Sequence, residues 1–371
     1  MLFLKSLLFC AAVTSAAYHS RTSPPHGAVV VSKDGAHGTY STVQAGVNAL
    51  AVNATGEQSL FIYPGEYTEQ VVSGLRLRST TSTDTQQYIP ARTANLTVYG
   101  YTHDTTSYKS NTVNITFNLA LVNTTSDDLT ATVRAWVTNF KMVTWPRLTH
   151  VTYAKLSQYN VNIFNTFGHI NSNGQNLALS AHVGNQGYYG VGLYGYQDTL
   201  LANAGNQLYA KSKILGAIDF IFGQTATAWL DQIDIVTIAA GCVTASGRDT
   251  AANPSWYVIN NSSVRGVNAS VEAKAGTNYL GRPWHNYSRV TFQETYLSDV
   301  INPAGWSIWS NGDPRTSNVA FEEFQNYGPG SYPTEGPRAN FSTQLSSPRL
   351  ITDILGANYA SEWWVDESYL S

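Results

Sequence analysis

From Leu60 onward the chain is a succession of short β-prone runs, and their spacing limits what it can fold into. Residues 60–63, 96–99, 113–117, 161–164, 233–236 and 256–259 are rich in β-branched and aromatic side chains, and Gly, Asn, Ser and Asp separate them. A sandwich of antiparallel hairpins is one use of such runs. Three observations favour a parallel β-helix. The runs are β-branched or alternate Asn with apolar residues, and few hairpin turns of the Asn-Gly type lie between them. In addition, Gln175 precedes Gln197 by 22 residues, and Asp198 precedes Asp219 by 21. Intervals of about 20–30 residues suit one coil of a solenoid. Residues one coil apart sit on neighbouring strands about 4.8 Å apart, so the two aspartates are expected side by side on one face.

The ends of the chain read differently. Lys5 followed by the apolar run 7–13 and by Ser15, Ala16 and Ala17 predicts a cleaved secretory leader over 1–17, with 18–371 as a single domain. That run is too short for a membrane span, which needs roughly 20 apolar residues, so no membrane partner is expected. Residues 20–26 read as a flexible lead-in and Val29 to Val31 as a strand. Val43, Val47 and Leu50 then recur at helical spacing, with Ser41 or Thr42 as the N-cap. This short helix suits a cap on the open end of a strand stack.

Only 12% of residues are charged, too few to coat long helices, while 43% are hydrophobic, enough for a core. Losing the leader removes Lys5 and no acid, taking the formal charge from −3 to −4. That balance excludes nucleic acid as an expected partner. It also predicts repulsion of acidic polymers unless Arg282, Arg248 or Arg289 offsets it locally. Cys242 is the single cysteine beyond the leader and reads as a small buried hydrophobe. Nine Asn-x-Ser/Thr sequons, including the adjacent Asn260 and Asn261, fit an exported glycoprotein.

Six segments stand out: Gly65-Glu66-Tyr67-Thr68-Glu69, Tyr196-Gln197-Asp198-Thr199-Leu200, Asp219-Phe220-Ile221-Phe222-Gly223, Thr244-Ala245-Ser246-Gly247-Arg248, Leu280-Gly281-Arg282-Pro283-Trp284, and Ile301-Asn302-Pro303-Ala304-Gly305-Trp306. In this order they resemble the signatures of pectin methylesterases, the fungal members more than the plant ones. The resemblance runs from about residue 28 to 327. It implies a right-handed parallel β-helix, an all-β fold, and cofactor-free hydrolysis of the methyl esters of pectin (homogalacturonan) in plant cell-wall degradation. A monomer is expected because the sequence carries no interface signal. By position it implies Asp219 as nucleophile, Asp198 as general acid/base, Gln175 and Gln197 as oxyanion donors, and Arg282 beside the nucleophile. Trp284 and Trp306 match aromatics that line the sugar groove. Tyr67 and Glu69 read as structural, and His285 as a possible neighbour of the groove. Leu201 and Ser246 depart from the residues common in the family, which places altered groove contacts there.

These roles make chemical sense together. Ester cleavage needs a nucleophile, a proton for the leaving alcohol and donors for the oxyanion. Two stacked carboxylates titrate apart, and an arginine beside one of them keeps that one ionised. No Gly-x-Ser-x-Gly, His-Glu-x-x-His or Cys-x-x-Cys occurs, so neither a serine esterase nor a metal site is expected. The alternatives are a pectin-active glycosidase or lyase, and a catalytically inert wall-binding protein.

Overall fold

The structure, a computed structural model, describes residues 20–51, 54–74, 94–136, 156–267, 273–333 and 336–371. The predicted leader and the sequons at Asn53 and Asn268 lie outside the described residues.

One coil explains the whole. Strand Ala204–Ala210 runs to a corner at Lys211, strand Lys213–Gly216 runs to a second corner at Asp219, and strand Ile221–Gly223 leads into the next coil at Thr225–Asp231. Each strand pairs in parallel with its counterparts one coil away: Leu208 with Trp229, Ile214 with Ile235, Leu200 with Ile221. Repetition builds parallel sheets of eleven, eight and seven strands among the described residues. This is a right-handed parallel β-helix, the hand that strand twist favours in parallel crossovers.

The corners need backbone that most residues avoid. Lys211, Gln232 and Asn261 each take a left-handed φ, of 47°, 55° and 42°, where the eleven-stranded sheet gives way to the eight-stranded one. Asp198 and Asp219 do the same at the next corner, with φ of 63° and 51°. Asn and Asp tolerate this region better than other non-glycine residues. The interior is filled by stacked aliphatics such as Leu179, Leu200 and Ile221, and by the Tyr188 and Tyr209 rings, 4.9 Å apart. Each fully buried Leu or Ile contributes about 1.5–3 kcal/mol.

Helix Val43–Ala49 caps the N-terminal end, with Thr42 as N-cap and Val43 and Val47 buried. Glu69 completes the cap: its carboxylate accepts the Val43 and Gln44 amides at 2.7 and 2.8 Å, where the helix dipole favours an anion. Tyr67 is fully buried, so both residues of that segment are structural. The lead-in is not a loose end. Arg21 pairs with Thr102, lies over the Tyr99 ring and donates to Asn160. The C-terminal arm packs Ile354, Leu355, Trp364 and Tyr369 against Tyr189, Leu208, Trp229 and Val258 on the outside of the eleven-stranded sheet.

Candidate active site

Strand register delivers the predicted pair. Gln175 bridges Gln197 in parallel, and Leu200 pairs with Ile221, so Asp198 and Asp219 occupy equivalent corner positions on adjacent coils. Their backbones are held by the following coil: the Asp198 amide donates to the Ile218 carbonyl at 3.0 Å, and the Asp219 amide to the Cys242 carbonyl at 2.8 Å. Cys242 itself is a buried free thiol, as expected. Asn176 fixes the turn before Asp198. It is fully buried, and its oxygen accepts the Tyr196 and Gln197 amides while its nitrogen donates to the Gly168 carbonyl. Thr199 pins the other side by donating to the Leu215 carbonyl.

Asp198 and Asp219 are buried, 8% and 6% exposed. Burial raises the pKa of both. Asp198 is raised well above the ordinary value by burial, then by the negative charges of Asp219 and Asp127. Asp219 is raised by burial but pulled back by Arg282. The guanidinium grips it side-on, Nε to Oδ1 at 2.9 Å and Nη2 to Oδ2 at 2.6 Å. Arg282 reaches it from the end of an outward-facing column, Ser180, Leu201, Phe222, Ala245, Arg282, one residue per coil. Leu201, Phe222 and Ala245 form an apolar floor against which Trp284 packs.

Gln175 and Gln197 bridge on adjacent coils just before the aspartate corner, with side-chain amides that make no hydrogen bond among the described residues, and the Gln175 oxygen is buried. They retain donors for a bound oxygen. Trp284 is partly exposed and stacks on His285 with ring centroids 5.4 Å apart, so both lie at this face. Gly247 makes room for the indole: a Cβ there would lie 2.6 Å from its Cε3. Gly247→Ala is therefore expected to displace Trp284 and raise KM about tenfold, equivalent to 1.4 kcal/mol, with kcat nearly unchanged. Steady-state kinetics check this.

Trp306 is not on that face. It is 1% exposed, stacked on Phe321 at 4.3 Å, and its Nε1 donates to Glu323. The reason is register. Trp306 bridges Gly281, which continues the inward column of Leu200, Ile221 and Thr244, so the indole points into the core space that Gly281 leaves open. The outward aromatic is Trp309, three residues on, whose ring lies 4.3 Å from the Arg282 guanidinium. The Gly-Trp-x-x-Trp spacing contained this signal, since an odd step along extended chain changes faces.

Ser246 is likewise fully buried, so that departure does not touch the outer face, whereas Leu201 does. Arg248 spends its guanidinium on the Asn253, Tyr287 and Ala251 carbonyls, and Arg289 lies over Trp256 beside the eleven-stranded sheet. Neither offsets charge near the aspartates. Asp127, which the sequence did not single out, adds negative charge there. Among the described residues no group of three or more His, Cys, Asp or Glu is disposed to hold a metal.

The chain is similar to known proteins along most of its length. The family model described as Pectinesterase matches residues 100–344. A pectinesterase from Aspergillus niger is 44% identical over 99% of this chain and 98% of its own length, and one from Aspergillus aculeatus is 43% identical over the same shares. The crystal structure of the pectin methylesterase from Aspergillus niger superposes with a TM-score of 0.77 at 34% identity, covering 94% of this chain and all of that one. The carrot pectin methylesterase gives 0.70 at 26% identity, over 88% and 90%.

Proposed function

The chain belongs to the pectinesterase family, and from that premise we propose that Asp219 and Asp198 hydrolyse the methyl esters of homogalacturonan by covalent catalysis. The observation that carries this reading is the unequal treatment of two stacked carboxyls: Arg282 grips Asp219 alone, while Asp198 is left with the charges of Asp219 and Asp127. Ionised Asp219 attacks the ester carbonyl carbon, and the Gln175 and Gln197 amides donate to the oxyanion. Collapse expels methoxide, which takes the Asp198 proton and leaves as methanol. Asp198, now ionised, removes a proton from water as that water attacks the acyl-enzyme. The new carboxylate departs, Asp219 is regenerated and Asp198 is again protonated. No cofactor enters these steps.

Trp284 and Trp309 flank the groove in which the polymer lies, and Leu201 and Phe222 form its floor. The enzyme acts as an exported monomer that contributes to the breakdown of plant cell-wall pectin. No described helix is long and apolar enough to cross a membrane. The deciding assay incubates the protein with highly methylated pectin and follows methanol, reducing ends and unsaturated products together. Methanol alone supports an esterase. New reducing ends point to a glycosidase, unsaturated products to a lyase, and no product to an inert binding protein.

The alkaline limb of the rate profile reports the proton on Asp198, the acid that must remain protonated. Asp127→Asn removes one of the charges that hold this proton, so the limb is expected to move to lower pH while the acid limb stays. A pH profile of kcat measures the shift, and an unmoved alkaline limb would count against Asp198 as the acid.

A further inference from the structure

Away from the aspartates, a polar groove of about 750 Å³ lies at the corner between the eleven- and eight-stranded sheets. Tyr108, Lys109, Lys211, Gln232, Asn261 and Tyr327 are among the residues that line it. Asn260 and Asn261 head two overlapping sequons, and the fold treats them in opposite ways.

Asn260 ends strand Trp256–Asn260 with its side chain on the outer face, and it is 8% exposed. Its nitrogen donates to Asp231 and its oxygen accepts from Gln293, both at 2.7 Å. The C-terminal arm closes over both partners: Ser371 donates to Asp231, and Gln293 donates to the Arg349 carbonyl. A sugar on Asn260 would break these bonds and lift the arm. Asn261 takes the left-handed corner and is exposed; its backbone N–H donates to the Gln293 carbonyl at 3.2 Å, while its side-chain amide makes no hydrogen bond among the described residues. Along the groove, Ser263 pairs with Tyr296, which bridges Tyr327. Tyr327 therefore lies two strand spacings from Ser263, roughly 10 Å away, and is 56% exposed. An exposed tyrosine of this kind offers a flat apolar face with a polar tip, suited to a sugar ring.

We propose that Asn261 is the glycan acceptor of this pair, and that the oligosaccharide it carries lies in the groove with a sugar ring against Tyr327. In the transfer, the Asn261 side-chain nitrogen bonds to the anomeric carbon of a lipid-pyrophosphate-linked oligosaccharide. The bond from that carbon to the lipid pyrophosphate breaks, and the amide loses one proton. The modification rests on export of the chain and is independent of the proposed ester chemistry.

The test uses the full chain secreted from a glycosylating eukaryotic host. Enzymatic release of N-glycans in heavy-oxygen water converts each occupied asparagine to labelled aspartate, and fragment-ion sequencing separates neighbours. The expected result is label at Asn261 and none at Asn260. Label at Asn260, an unlabelled Asn261, or a chain that keeps its leader and carries no glycan overturns the site. The seat is tested separately by the rate at which an endoglycosidase releases the Asn261 glycan from the native protein. Tyr327→Ala is expected to speed release about tenfold, the equivalent of 1.4 kcal/mol, and equal rates overturn the seat. Methanol release by the same preparations is expected to be unchanged, so failure here and failure of the esterase reading are read from different signals.

Discussion

Asp219→Ala is expected to lower kcat for methanol release by at least about 10³-fold while the protein remains folded. Loss of general acid–base help alone costs about 10²–10⁴-fold, and this change removes the atom that forms the covalent bond. The fold should survive, at the cost of about 1–2 kcal/mol for an alanine in the left-handed region at a φ of 51°, because the corner backbone is held by the hydrogen bond from the residue 219 amide to the Cys242 carbonyl. Asp198→Asn is expected to be similarly inactive, with a further signature in stability. Burial and the charges of Asp219 and Asp127 raise the Asp198 pKa in the folded state. The native protein therefore holds this proton more tightly than the unfolded chain does. Stability from this group is complete at pH below its unfolded pKa and is lost as pH rises through the folded value. Asparagine never ionises, so the variant should gain thermal stability over the wild type, and the gain should grow as pH rises through that window. Thermal melts across pH, paired with methanol assays, measure both effects. Near wild-type methanol release by folded Asp219→Ala would sink the mechanism.

The second large effect is expected at Arg282. Arg282→Ala leaves Asp219 a buried carboxyl without its cation; the arginine side chain is 28% exposed, so the cost falls below the roughly 3–5 kcal/mol of a fully buried pair. Arg282 is what pulls the Asp219 pKa back against burial, so its loss raises that pKa further. The ionised nucleophile then forms only at higher pH, and the acid limb of kcat/KM moves upward. We expect a loss of about 10²–10³-fold at the wild-type optimum, partly recovered by raising the pH, on the scale of general acid–base effects. Arg282→Lys should recover little more. An ammonium is a point charge that cannot make the two-pronged grip on Asp219, and it stacks poorly on Trp309. A variant with an unmoved acid limb would show that Arg282 does not set the state of the nucleophile.

The sequence by itself determined the coil. A step of 21 residues between Asp198 and Asp219 becomes one strand spacing because Leu200 and Ile221 are in register. Period and register are local and additive along a solenoid, so they are legible in one dimension. The Val43–Ala49 helix was legible for the same reason, through its apolar spacing and its threonine cap. The sequence also determined the pairing of Arg282 with Asp219 as far as the family resemblance carried it.

What only the tertiary structure decided is which way side chains face and which distant groups approach. Trp306 read as a groove residue and lies in the core, because its bridge to Gly281 fixes it on the inward column, while Trp309 takes the outer face. Arg248 and Arg289 read as candidates for the groove, yet loop carbonyls and Trp256 hold them. Asp127 acquires its influence on Asp198 only when its loop folds over the neighbouring coil: Leu121 and Val122 donate to the Gln175 and Asn173 carbonyls. Asn260 and Asn261 are alike as sequons and opposite in the fold, because the C-terminal arm covers one and the corner exposes the other. A slip of one residue along a strand reverses every facing, and contacts across a hundred residues have no period to betray them.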